Sequence, residues 1–210
     1  TIGSMADLDA AKMEDIKQWY ADYYGPNNAV LSLAGDITLE QAKTLVTKYF
    51  GGIAPGAPVA RQRQWVPSLD APIRDSMQDR VPQTRIYRAW HIPAVGDRAS
   101  HALELFAGTL AGSESSPLER RLVFDTNLAT DVAAFADTSE LSGLFLLMVS
   151  MRPGVDPAEA ERELDALLAK QLTTAPDAAA LQRALTREVA SFTRGKERLG
   201  GFGGRSDVLA

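Results

Sequence analysis

The stretch around Gly25 and Pro26 constrains the fold of this chain most, because a helix has to end there and an apolar run of strand length follows. The helix is indicated by apolar residues that recur every three or four positions: Met13, Ile16, Trp19, Tyr20 and Tyr23. Proline ends it, since it has no amide hydrogen to donate and disfavours a helical residue before it. The two asparagines that follow favour a turn. We therefore predict a strand over Ala29–Ala34 and a second helix over Leu39–Tyr49.

The remaining periodicity predicts an α+β fold. Alternating or apolar runs indicate strands at Ile73–Val81, Thr84–Ile92, Leu128–Asp137 and Gly143–Met151. Amphipathic patterns indicate helices over Ala99–Ala111, from Pro117 with Ser116 as its cap, from Pro157 to about Leu172, and from Asp177 to about Leu199. Strands in hairpin order with helices grouped after them favour an antiparallel sheet over a Rossmann-type alternation.

Composition excludes several classes of protein. The net charge is −5 and no basic block stands out, which argues against a nucleic-acid binder. There is no cysteine, so disulfides and thiolate metal sites are excluded. No apolar run approaches the roughly 20 residues that span a bilayer. We interpret 1–210 as a single domain, with a lead-in helix in 1–25, an extended linker-like segment in 53–72, and a terminal helix with a Gly-rich end in 177–210.

Several motifs resemble one family. Tyr23-Tyr24-Gly25-Pro26-Asn27-Asn28-Ala29, the strand, Gly35-Asp36, the helix and Tyr49-Phe50-Gly51 are similar to the insulinase/pitrilysin zinc peptidases, the inverzincins. The segments Thr1–Leu8, Asp79–Tyr87, Leu110–Val123 and Arg152–Asp156 fit the same pattern. The resemblance covers essentially the whole chain and points to the second, non-catalytic domain of the amino-terminal half.

The resemblance carries implications for fold, cofactor and partners. It implies an antiparallel sheet with helices packed on one face, the two-layer sandwich of the mitochondrial processing peptidase-like metallohydrolases. Zinc is expected in a catalytic domain of the full-length protein, which either precedes this chain or is a separate subunit. The implied substrate is a peptide. Since the chain begins without Met and its last helix stops abruptly, we interpret it as a piece of a longer protein. Analogy with bacterial relatives favours the periplasm, although the cytoplasm fits as well.

The inverzincin zinc motif is incomplete here. His-x-x-Glu-His on a helix supplies two zinc ligands and a base. This chain has His101 and Glu104 at the right spacing, but Leu105 takes the second ligand position. A catalytic zinc site needs three protein ligands, and the other histidine, His91, lies in a different element. We predict no metal site and no catalytic residue in this chain.

The loop between two predicted helices is the candidate substrate contact: Gly112, Ser113, Glu114, Ser115 and Ser116. Small residues allow a peptide backbone to approach, and the serines offer hydroxyl groups. The alternative is an ordinary turn whose Ser116 caps the next helix. Arginines could clamp a peptide carboxylate, but surface ion pairs are the favoured interpretation for Arg85, Arg88, Arg120 and Arg121. Gly200–Gly204 lacks the spacing of a phosphate loop and is interpreted as a hinge or helix break.

Two functions remain open. The chain is either the non-catalytic domain of a zinc endopeptidase, helping to enclose its substrate chamber, or an inactive structural or assembly module of the same fold. On either alternative, the chain alone is predicted to be inactive.

Overall fold

A computed structural model describes residues 3–210, which form two compact units. One comprises the residues up to Arg61 together with Ser191–Ala210, and the other comprises Gln62–Ala190. The interpretation of 1–210 as a single domain stays a prediction. The helices are α1 Met5–Ala10, α2 Met13–Tyr23, α3 Leu39–Phe50, α4 Arg98–Ala111, α5 Pro117–Glu119, α6 Pro157–Thr173, α7 Ala178–Gly195 and α8 Arg205–Leu209. The strands are β1 Arg85–Ile92, β2 Ala129–Thr138 and β3 Gly143–Met151.

The helix predicted from the apolar positions Met13 to Tyr23 is confirmed as α2, and a shorter helix, α1, precedes it in the lead-in segment. Thr1 and Ile2 lie outside the described residues. Ser4 and Asp7 form a capping box that begins α1. The backbone of Lys12 is extended and its N–H donates to the Asp15 carboxylate at 2.9 Å, which begins α2 as a separate helix. The apolar periodicity from which the helix was predicted begins at Met13 and therefore does not indicate α1.

The turn after α2 uses Asn27 to reach a distant segment of the same unit. The Asn27 Oδ1 accepts from the Gly56 N–H at 2.7 Å, and its Nδ2 donates to the Ala57 carbonyl at 3.3 Å. The predicted strand over Ala29–Ala34 was wrong: these residues form no ladder, and the side chain of Val30 is 74% exposed. Apolar length indicates a strand only if a partner takes its backbone hydrogen bonds, and these residues have no ladder partner in the described chain.

The second unit is built on a three-stranded antiparallel sheet in the order β1-β3-β2. Val149 of the central strand β3 lies opposite Ile86 on one side and Val132 on the other. Three of the predicted strands are confirmed. The strand predicted over Ile73–Val81 was wrong, because that segment pairs with no strand and Met77 is 90% exposed.

Helices cover one face of this sheet, which confirms the α+β, two-layer prediction. Along β3 the side chains that face the helices are buried: Phe145, Leu147, Val149 and Met151. They pack with buried residues of the covering helices, Leu110, Leu118, Leu122 and Leu164. The alternate residues Leu144, Leu146 and Met148 are half-buried on the other face. This alternation is the period-two signature of a sheet with one covered face.

The outer strand β1 is less buried than its sequence indicates. Ile86 and Ile92 are buried, whereas Tyr87 and Trp90 stay exposed and Ala89 is exposed as well. An edge strand has neighbours on one side only, so aromatic residues there keep contact with solvent.

Among residues 3–210, no helix combines the length and apolar character needed to cross a membrane.

Candidate functional site

The incomplete zinc motif lies on an exposed part of α4. His101 Nδ1 lies 3.9 Å from Glu104 Oε2, and both side chains are more than half exposed. Leu105, in the second ligand position, is half-buried and has no lone pair to give a metal. Within residues 3–210, no three His, Asp or Glu side chains are grouped so that they could hold a metal ion. The donor set of this helix therefore does not fit a zinc site.

The loop Gly112–Ser116 joins α4 to α5 and is held by its own serines. The Ser113 N–H donates to Ser116 Oγ at 3.0 Å, and the Ser116 N–H donates to the Ser113 carbonyl at 2.8 Å. The hydroxyl oxygen of Ser113 lies 3.0 Å from that of Ser116 and 3.1 Å from that of Ser115. Ser116 is buried, whereas Glu114 and Ser115 are exposed. The loop thus presents two polar side chains on a hydrogen-bonded base.

Ser116 begins α5 but does not cap it with its side chain. Its backbone has the extended conformation of an N-cap residue, and Pro117 follows at the first helical position. The hydroxyl accepts from Ser113 within the loop, and no side-chain cap bond is formed. The predicted position of the cap at Ser116 is therefore confirmed, and its side chain bonds within the loop instead of to the helix.

A residue that the sequence analysis missed holds the other end of the loop. Arg187 of α7 donates from Nη1 to the Gly112 carbonyl and from Nη2 to the Gly108 carbonyl, the latter at 2.6 Å. Gly108 lies in the last turn of α4 and Gly112 is the residue that ends it, so both carbonyls are at the helix end, where backbone acceptors have no partner within the helix. Gly108 and Gly112, four residues apart on one helix face, are the only signal in the sequence of such a close approach.

A carboxylate cluster lies beside the loop. Burial raises the pKa of Glu119, and the negative charges of Asp131 and Glu114 raise it further. A hydrogen bond from the Val132 backbone acts in the opposite direction. The ionised form of Glu119 is therefore disfavoured in the folded protein. Glu114 is exposed, so the loop carries one carboxylate on its solvent side.

Beyond Glu119 the chain makes a π-helical turn over Arg120–Asp125, closed by the Thr126 N–H on the Arg121 carbonyl at 3.0 Å. π-Helical turns are rare in proteins, and those that occur are frequently near functional sites. Asn127, at a positive φ of 54°, then leads into β2. The turn places the side chain of Arg121 against α6.

Two of the four arginines considered as carboxylate clamps are in ion pairs, as predicted. Arg121 binds Glu163 through two hydrogen bonds of 3.0 and 3.3 Å, and Arg88 lies 3.0 Å from Asp165. The hydrogen bond from Arg121 lowers the pKa of Glu163 and raises the pKa of Arg121 itself. These guanidinium groups are engaged with α6, so the described geometry does not direct them at a ligand.

One concave surface of the second unit is separate from the loop. An open groove of about 570 Å³ lies at the β2–β3 turn and is lined by Pro67, His91, Asp137, Ser139, Glu140, Leu141, Ser142, Gly143 and Leu144. None of the loop residues lines this groove. Gly112–Ser116 is a loop held by hydrogen bonds, with Glu114 and Ser115 exposed.

Comparison with known proteins agrees with this inactive arrangement. The family model for the peptidase M16 inactive domain matches residues 10–188. The zinc protease PqqE of Helicobacter pylori is 26% identical over 177 residues, covering 80% of this chain and 39% of that protein.

Solved structures share the fold. A protease from Helicobacter pylori superposes with a TM-score of 0.77 at 24% identity, over 92% of this chain and 48% of that one. A peptidase M16 inactive domain from Pseudomonas fluorescens gives 0.73 at 20% identity, over 90% of this chain and 45% of that one. The chain spans less than half the length of each of these relatives. It belongs to the peptidase M16 inactive-domain family, within the insulinase/pitrilysin peptidases that its motifs resemble.

Proposed function

We propose that this domain is the non-catalytic part of a zinc metalloendopeptidase and forms a wall of the chamber that encloses the peptide substrate. Its membership of the inactive-domain family supports this, as does its similarity to a zinc protease of which it spans 39%. The remaining length of that relative leaves room for a catalytic domain. In this proposal the zinc ligands lie in that domain, either preceding this one in the chain or in a separate subunit.

The observation that carries the proposal is the loop Gly112–Ser116, which hydrogen bonds hold in place. Ser116 and Arg187 fix its base, while Glu114 and Ser115 are exposed. A fixed loop loses little conformational entropy when a ligand binds, so its contacts convert efficiently into affinity. Contacts remote from the scissile bond supply positioning energy that only a long substrate can use.

The test replaces Glu114 with Trp and Ser115 with Phe in the full-length protein. Ser113 is kept because its hydroxyl and N–H hold the loop together. We expect kcat/KM for a long peptide to fall roughly tenfold, while a short fragment with the same scissile bond is cleaved almost normally. Zinc content and the unfolding temperature should not change.

The matched control is the same pair of side-chain types at another turn of the same unit, with Ser139→Phe and Glu140→Trp at the β2–β3 turn. Equal effects of the two double variants would contradict a specific role for the loop. Unchanged cleavage of both peptides by the loop variant would contradict the chamber-wall proposal and favour the inactive structural or assembly module.

A further inference from the structure

The contact between α7 and the end of α4 is built from residues far apart in the sequence. Arg187 is separated from Gly112 by 75 positions, yet its guanidinium donates to the carbonyls of Gly112 and Gly108. Ala184, one turn earlier on α7, is 1% exposed and faces the same part of α4. A cation at the C-terminal end of a helix also complements the negative end of the helix dipole.

Gly112, and to a lesser degree Gly108, leaves room for this contact. A Cβ added at Gly108 would lie 3.3 Å from the Ala184 Cβ and 3.3 Å from Arg187 Nη2. A Cβ added at Gly112 would overlap the Arg187 guanidinium. The backbone of Gly112 has φ −88°, a conformation that any residue adopts, so space for Arg187 is what this glycine provides.

We infer that Arg187 is a positioning residue: its guanidinium fork, seated on Gly108 and Gly112, fixes the conformation of the loop Gly112–Ser116 and thereby the way in which the loop meets a long peptide. The second part of this inference rests on the proposed function. The first part concerns the loop alone and is tested without any substrate.

The first experiment measures amide hydrogen exchange of the loop in the 210-residue chain. Arg187→Met keeps the aliphatic stem but removes both donors, and exchange at residues 113–116 should rise roughly tenfold. Arg187→Lys keeps the charge without the fork and should leave exchange raised. Arg183→Met, one turn earlier on the exposed side of α7, is the control and should leave exchange unchanged. Unchanged exchange in Arg187→Met overturns the inference.

A double-mutant cycle provides a second test, which does not depend on a single variant that fails to fold. Gly112→Ala should speed loop exchange when Arg187 is present, because the new Cβ displaces the guanidinium. In an Arg187→Ala background the same substitution should have a smaller effect, because only the Gly108 carbonyl oxygen, 2.5 Å from the new Cβ, then stands in its way. Additive effects of Gly112→Ala and Arg187→Ala would overturn the contact as the cause.

The second arm uses the full-length protein and the long and short peptides. Arg187→Met should raise KM for the long peptide with little change in kcat, and the short peptide should be cleaved normally. If the Glu114 and Ser115 variant is impaired but Arg187→Met is not, the part of the inference that concerns the peptide is overturned and the proposed function stands. If neither is impaired, the proposed function fails together with the substrate role of Arg187, and the exchange result alone decides whether Arg187 holds the loop.

Discussion

At the scale of single residues, the fold disfavours the ionised form of Glu119. Burial is the main cause of its raised pKa, and Asp131 and Glu114 add to it. A carboxyl group whose pKa is higher in the folded state than in the unfolded state binds protons more tightly when folded. Its ionisation therefore destabilises the protein as the pH rises above the ordinary value of 4.5. Well below that value both states are protonated and the cost disappears.

Glu119→Gln should consequently stabilise the domain near neutral pH. The amide keeps the shape and an acceptor for the Val132 N–H but removes the charge. Because the group is only partly buried, the gain after solvent screening is less than about 1 kcal/mol. Chemical denaturation at neutral pH and well below pH 4.5 measures it, with exposed Glu188→Gln as the control. A loss of stability at neutral pH, or a gain of the same size at both pH values, would contradict the assignment.

At the scale of elements, β3 divides its side chains between two environments. Leu147 is fully buried between the sheet and its helices, whereas the adjacent Leu146 is half-buried on the other face. We expect Leu147→Ala to cost about 2–5 kcal/mol of unfolding free energy, because it leaves a cavity at the centre of the core. Leu146→Ala should cost clearly less. Equilibrium denaturation of the two variants checks this, and equal losses would contradict the one-sided covering of the sheet.

Sequence periodicity predicted well those helices and strands that also have a capping residue or a pairing strand next to them in the sequence. α3 is bounded by Thr38, which caps it, and β2 and β3 pair with each other across a short turn. The apolar runs Ala29–Ala34 and Ile73–Val81 were predicted as strands on local pattern alone. Strand formation depends on a pairing partner, which no local pattern contains.

The candidate loop was located from sequence, but the residue that holds it was not. Small residues between two amphipathic patterns identify Gly112–Ser116 as a connection. Arg187 looks in sequence like any polar position of the amphipathic helix α7. Its role depends on where α7 crosses α4, which is a tertiary property. Gly108 and Gly112 at a spacing of four were the available signal, since small residues in a helix permit a close approach.

For the molecule as a whole, the incomplete zinc motif leads to a prediction about metal content. After dialysis the chain should retain far less than one zinc per molecule. Leu105→His completes His-x-x-Glu-His but supplies no third ligand, so neither tight zinc binding nor peptidase activity should appear. The half-buried imidazole should lower stability by about 1 kcal/mol. Metal analysis, a peptidase assay and denaturation test these statements.

A stoichiometric zinc in the parent chain would contradict this account, and a His101→Ala variant would then show whether the incomplete motif binds it. Activity in Leu105→His would contradict it more directly. The family was predictable because its motifs run through the whole chain, whereas the proposed role as a chamber wall depends on a catalytic domain that these motifs do not describe.

The long sequence separation between the loop and Arg187 has a consequence for biosynthesis. Chains grow from the amino terminus at roughly 5–20 residues per second, so the 75 positions between Gly112 and Arg187 take roughly 4–15 s to make. During that interval α4 has been synthesised but its terminal carbonyls lack the guanidinium. The nascent domain therefore passes through a stage in which only the hydrogen bonds among its own serines hold the loop, and the contact from Arg187 is added when α7 is made.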